Sequence, residues 1–148
     1  MGASGWDYVV PFEPDPQSAL TALCEATFAA GVYWWPYDDR PRPGTIEELL
    51  ADEWVAEGGT SSIIDCPRIR LGVPEDDAGW LNWHIRGTVI PLSDAELERA
   101  VGTTRPTAAH REPLEAQADR ARWTGRCTIL YGADGQPENW YFWGHSGD

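Results

Sequence analysis

The stretch Arg126-Cys127-Thr128-Ile129-Leu130-Tyr131-Gly132-Ala133-Asp134-Gly135-Gln136-Pro137-Glu138-Asn139-Trp140-Tyr141-Phe142-Trp143 decides the fold. Two runs rich in β-branched and aromatic residues, Arg126 to Tyr131 and Asn139 to Trp143, flank a link that contains Asp134-Gly135. An Asp-Gly pair supplies the positive φ that a tight reversal needs, so the two runs read as the strands of a β-hairpin. Side chains alternate along a strand, which puts Trp140 and Phe142 on one face and Tyr141 and Trp143 on the other. A sheet with large aromatics on both faces needs cover on both, from helices of the same chain, from a ligand or from a partner.

Upstream of the hairpin, local signals mark out the other elements. A helix is predicted from about Glu112 to Arg122. Ser93 and Glu96 form a capping box, opening a short helix that stops at Gly102. Trp83 to Ile90 alternates as a strand ended by Pro91, and Ser62 to Cys66 reads as a strand closed by Pro67. Thr45 and Glu48 open a helix that runs to Gly58-Gly59, with Ile46, Leu49, Leu50 and Trp54 as its apolar face. The run Val32-Tyr33-Trp34-Trp35-Pro36-Tyr37 reads as a short strand ending at the proline. Asp15 caps a helix whose first residue is Pro16, whose apolar positions are Leu20, Leu23, Cys24 and Phe28, and which Gly31 ends. Trp6 to Val10 is the first strand. This irregular alternation predicts an α+β fold over residues 1–148 as one compact domain, a small and mostly antiparallel sheet that ends in the C-terminal hairpin and packs with three to four short helices.

The composition excludes several chemistries. The chain has 24 acidic and 11 basic residues, a net charge of −13, and every basic residue is Arg. Without lysine there is no Schiff-base lysine, no P-loop lysine and no protein-kinase lysine. The acidity argues against nucleic acid and against anionic membranes as partners, and it permits a basic protein partner. Cys24, Cys66 and Cys127 are odd in number and widely spaced, a pattern of reduced thiols, and Cys66 at a strand end is the one expected to be exposed. The first residues lack a basic and apolar leader and no apolar run reaches membrane-spanning length, so the expected location is cytoplasmic. His84, His110 and His145 fall in no metal-ligand spacing, and neither metal nor cofactor is expected. His145 and Ser146 are neighbours that point apart on extended chain, which fits a tail packed on the sheet better than a base–nucleophile pair.

Nine tryptophans are the strongest remaining signal. Trp is large, carries an N–H that wants an acceptor, and is enriched at interface hot spots and in pockets. Glu47, Glu48, Asp52, Glu53 and Glu57 crowd one helix with no base between them, and the first 39 residues hold six acids and no base. A solvated face explains such crowding. A face that meets a basic partner explains it together with the tryptophans. The leading expectation is therefore an acidic, Trp-rich protein-binding module, as an immunity protein or antitoxin is to its toxin, carried by Trp34, Trp35, Tyr37, Glu48, Asp52, Glu53 and Trp54. The alternative is a small ligand-binding domain or enzyme, with Asp65, Trp83, His84, Trp143 and His145 in an aromatic-lined pocket and no catalytic residue assigned. A homodimer through an aromatic face is the third reading.

The opening Met1-Gly2-x-x-Gly5-Trp6-Asp7-Tyr8 and the closing Tyr141-Phe142-Trp143-Gly144-x-Ser146-Gly147-Asp148 resemble a family of short, acidic bacterial proteins. The resemblance runs the whole length, through Ile64-Asp65 and the last hairpin. No activity is attached to that family, so the resemblance implies one compact domain in a bacterial cytosol and no catalytic residues.

Overall fold

The computed structural model describes residues 4–72, 85–116 and 122–147. In chain order the elements are β1 (Gly5–Pro11), α1 (Pro16–Ala30), α2 (Ile46–Leu50), α3 (Glu53–Gly58), a 3-10 turn at Ile63–Asp65, β2 (Arg68–Ile69), β3 (Thr88–Pro91), α4 (Asp94–Val101), a second 3-10 turn at Ala108–His110, α5 (Arg111–Ala116), β4 (Thr124–Tyr131) and β5 (Pro137–His145). The strands form a five-stranded sheet in the order β1-β5-β4-β3-β2. The long pairings, β1 with β5 and β4 with β5, are antiparallel, and the short pairings of β3 with β4 and with β2 are parallel. The fold is α+β with the C-terminal hairpin at its centre.

The hairpin's alternation organises two cores. Trp140 and Phe142 face α1, where they pack with Trp6, Leu20, Leu23, Cys24, Val89 and Cys127. Tyr141 and Trp143 face the opposite way, stacked on each other at 4.8 Å, and pack with Leu97 of α4, Leu114 of α5 and Leu130. The chain's own helices thus cover both faces of the sheet. Each buried aromatic removes roughly 150–250 Å² from water, worth at most about 4–6 kcal/mol before conformational entropy is subtracted. Trp6 crosses the hairpin where it is thinnest. Its ring lies over Gly125 and Gly144, positions at which any side chain would collide with it.

Local chemistry accounts for the helix ends. Asp15 accepts from the Ser18 N–H at 3.2 Å, and Gly31 closes α1 at φ 68. Ser93 and Glu96 make the full capping box of α4, and the Glu96 carboxylate also takes a 2.7 Å ion pair from Arg126 on β4. Partial burial raises the Glu96 carboxyl, but the Arg126 and Ser93 hydrogen bonds outweigh it and hold the group below its ordinary value.

Several expectations are corrected. The helix after Thr45 is two helices, because the Asp52 carboxylate accepts from the N–H groups of Trp54 and Val55 at 3.0 and 3.3 Å and starts α3 afresh. The described residues therefore contain five α-helices rather than three to four. Ser62 to Cys66 is not a strand: the Ser62 hydroxyl accepts from the Ile64 N–H at 3.3 Å and turns the chain into a 3-10 helix. Val32 to Tyr37 is not a strand either. It has no ladder partner among the described residues; instead the Trp34 N–H donates to the Thr60 carbonyl at 2.7 Å and Arg42 donates to the Gly31 and Tyr33 carbonyls at 3.0 and 3.4 Å. The strand expected from Trp83 begins only at Thr88, with Ile85 to Gly87 forming a turn, and Trp83 itself lies outside the described residues. The helix predicted to Arg122 is described as far as Ala116.

Candidate functional surface

The leading candidate residues gather on the α2–α3 hairpin and the loop that follows α1. Leu49, Val55 and Ile64 form a small core of their own, against which Phe28, Tyr33, Trp35 and Leu50 pack. Trp35 is half-buried there, edge-on to Tyr37 at 5.1 Å, and its buried Nε1–H has no hydrogen-bond partner among the described residues. Desolvation and the neighbouring Asp52 carboxylate push the Tyr37 phenol above its ordinary value, while the Arg40 guanidinium lies 4.2 Å over its ring. Trp35, Tyr37 and Asp52 therefore build the surface from beneath.

What the surface shows to solvent is different. Trp54 is 59% exposed and Trp34 43% exposed. Trp54 was expected on the apolar face, but the restart at Asp52 gives the buried position to Val55. The Trp34 N–H is tied to Thr60, just past the end of α3, and Trp54 stands at its start, so the two residues sit at opposite ends of a helix about 9 Å long. Glu47, Glu48, Glu53 and Glu57 are exposed around them. Glu48 is not spare charge: its carboxylate accepts from the Gly44 N–H at 2.9 Å, and its own N–H donates to Thr45 at 3.1 Å. Asp52 is not spare either, since it caps α3. The carboxylates of Glu47, Glu53 and Glu57 have no hydrogen-bond or ion-pair partner among the described residues.

Of the alternative pocket's described residues, Asp65 borders one cavity and Trp143 and His145 another. Asp65 is 3% exposed. One of its carboxylate oxygens accepts from the Thr60 N–H at 2.7 Å and the Thr60 hydroxyl at 2.8 Å, and the other accepts from the Ser146 hydroxyl. Ser146 in turn accepts from the Ser61 N–H at 3.0 Å, so the chain's last residues are pinned to the segment after α3. Ser61 holds φ 55 and Gly59 φ 80 to bring these groups into line, and a side chain at Gly59 would meet Asp65 and Ser146 at 2.5 and 2.6 Å. The tail was expected to pack on the sheet; Ser146 is instead tied through this buried polar network to the segment after α3. Ser146 was not among the expected site residues, and nothing local in the sequence pairs it with Asp65. Trp143 and His145 instead line a separate cavity of about 100 Å³ with Gly5, Trp6 and Glu115. Trp83 and His84 lie outside the described residues. Asp65 borders a larger cleft of about 430 Å³ whose other walls are Leu50, Val55, Ala56, Arg68, Arg86, Gly87 and Trp123.

The thiols are not placed for nucleophilic chemistry. All three cysteines are free and buried, and Cys66, expected at the surface, is 0% exposed because the 3-10 turn folds it inward. Burial, with the Asp65 charge adding to it, pushes the Cys24 thiol up to about 12; burial alone takes Cys127 to about 12 and, with Asp65, lifts Cys66 well above its usual range. Thiolate is the reactive form. The native protein is expected to give no rapid reaction with Ellman's reagent at pH 7.5 and three equivalents in guanidinium; one fast equivalent without denaturant would contradict this burial. His110 closes the turn before α5, its Nδ1 accepting from the Thr107 N–H at 2.9 Å. Among the described residues no group of three or more His, Cys, Asp or Glu is placed to hold a metal ion, and no helix is long and apolar enough to cross a membrane.

Comparison with protein-family models, with curated proteins and with solved structures gives no significant match.

Proposed function

We propose that this chain is a protein-binding module that engages a basic protein through the α2–α3 face, in the manner of an immunity protein or antitoxin. The observation that carries the reading is the exposure of Trp54 and Trp34 at the two ends of α3, beside unpaired carboxylates on a chain of charge −13. Solvent-exposed indoles lose water on docking and serve as anchors, and acidic charge steers a basic partner and speeds its arrival. The half-buried Trp35 and Tyr37 hold the anchors' platform rigid, which limits the entropy lost on binding. Three unpaired, buried thiols fit a reducing cytosol.

The electrostatic part is tested by neutralising only the carboxylates that the fold does not use. Glu47→Gln, Glu53→Gln and Glu57→Gln together should leave the melting midpoint unchanged. They should slow association with the cognate basic protein by about fivefold at low salt and flatten its salt dependence. An association rate unchanged at every ionic strength would remove charge steering from the reading.

A further inference from the structure

The cleft beside α3 carries an arrangement that the acidic face does not use. The β2–β3 register sets Arg68 opposite Thr88, and Arg86 lies in the turn that leads into β3, so both guanidinium groups reach the same end of the sheet. Arg86 donates one hydrogen bond, to the Ala56 carbonyl at 3.2 Å, and its guanidinium lies 4.1 Å from the Trp123 ring. Arg68 is exposed; its Nη2 stands 3.7 Å from the place a Gly87 side chain would take, next to Arg86, and it makes no hydrogen bond among the described residues. Neither arginine forms an ion pair with a described carboxylate.

A guanidinium offers five N–H donors in a planar fork suited to carboxylate and phosphate oxygens. Among the described residues one of Arg86's donors is engaged and none of Arg68's side-chain donors. On a chain of charge −13 this is a local positive pole. Asp65 borders the cleft with its carboxylate held by Thr60 and Ser146, and the two guanidinium groups outnumber it there. The facing wall is apolar, from Leu50, Val55 and Ala56, and the space of about 430 Å³ falls in the range of small-ligand pockets. Trp123 holds φ 61, a conformation that bulky residues rarely adopt. It is fixed there by its N–H to the His145 carbonyl at 3.1 Å and by the Gly87 N–H to its own carbonyl at 2.7 Å. Strained backbone of this kind persists where a side chain must be held in one place, and here it holds the indole under Arg86.

We infer that this cleft binds a small organic anion, a phosphate monoester or a carboxylate, with its charged head on Arg68 and Arg86 and its apolar body against Leu50, Val55 and Ala56. The site shares α2 and α3 with the protein-binding face, but the inference does not rest on that reading.

Phenyl phosphate and hexanoate are the two probes, titrated into the full chain by calorimetry and by NMR of the arginine Nε–H groups; whichever binds more tightly tells phosphate from carboxylate chemistry. At least one should saturate with Kd below about 1 mM at low salt and shift the Arg68 and Arg86 signals. Benzyl alcohol, with an apolar body and no charge, should not saturate. Arg68→Gln, which removes no bond of the fold, should weaken binding about tenfold with an unchanged melting midpoint. Ala56→Glu, on the exposed side of α3, should weaken it at least as much by placing a carboxylate on the facing wall. Failure of both probes to saturate by about 10 mM would overturn the inference, as would binding unaffected by Arg68→Gln and Ala56→Glu.

Discussion

Replacing Gly144 by valine is expected to abolish the native fold. A side chain there would run into the Thr124 carbonyl oxygen and would stand 2.7 Å from both the Gly125 Cα and the Trp6 Cζ2. The first two obstacles are backbone of the paired strand and cannot rotate away, and the third is the ring that closes the α1-side core. Overpacking that is relieved only by moving backbone costs more than the usual 1–3 kcal/mol, here upward of about 5 kcal/mol. That equals much of the net stability of an ordinary domain. Urea unfolding followed by circular dichroism should show no folded baseline for Gly144→Val. Gly58→Ala is the control: nothing lies within 4 Å of its added Cβ, and it sits in α3, so its midpoint should stay the same or rise. A Gly144→Val protein within about 1 kcal/mol of the native chain would mean that Trp6 does not lie on the hairpin as described.

Asp65→Ala is expected to cost about 3–5 kcal/mol. It removes the acceptor for the Thr60 N–H, the Thr60 hydroxyl and the Ser146 hydroxyl in a place that water barely reaches. Each buried donor left without a partner costs about 1–3 kcal/mol. Ser146→Ala leaves Asp65 its Thr60 bonds but takes away the donor to its other oxygen and the acceptor of the Ser61 N–H, so its loss should be smaller, about 2–3 kcal/mol. In a double-mutant cycle by guanidinium denaturation the two losses should fall short of adding, because both variants break the same contact. Strict additivity would show that the C-terminal residues are not held by Asp65.

The parts of the fold legible in the sequence are those written locally. The hairpin follows from Asp134-Gly135 and alternation, α1 from Asp15 and Gly31, and α4 from Ser93 and Glu96, since caps and turns are decided by neighbours along the chain. Where two local signals competed, the side chain that could bond its own backbone prevailed. Asp52 restarted a helix that the apolar spacing continued, and Ser62 turned a β-branched pair into a 3-10 turn. What depended on distant pairing was not legible. Asp65 and Ser146 are 81 residues apart, and neither residue alone announces the other. The burial of Cys66 follows from that same turn. The placing of Trp140 and Trp143 on opposite faces of the sheet was legible from alternation, yet which indoles stay exposed depended on the break at Asp52, which moved Trp54 out and Val55 in.

The most direct measurement is paired capture from a lysate of the cell that makes this chain, with the native protein and a Trp34→Ala/Trp54→Ala variant on parallel columns. Both proteins should have the same melting midpoint, because the two rings are exposed and leave the core intact. The native column should retain one basic protein in stoichiometric amount, released by moderate salt, and the variant should lose it, with dissociation of the purified complex faster by at least about 30-fold. Retention of the same protein by both columns with equal dissociation rates, or a native column that retains nothing, would contradict a binding face built on α3.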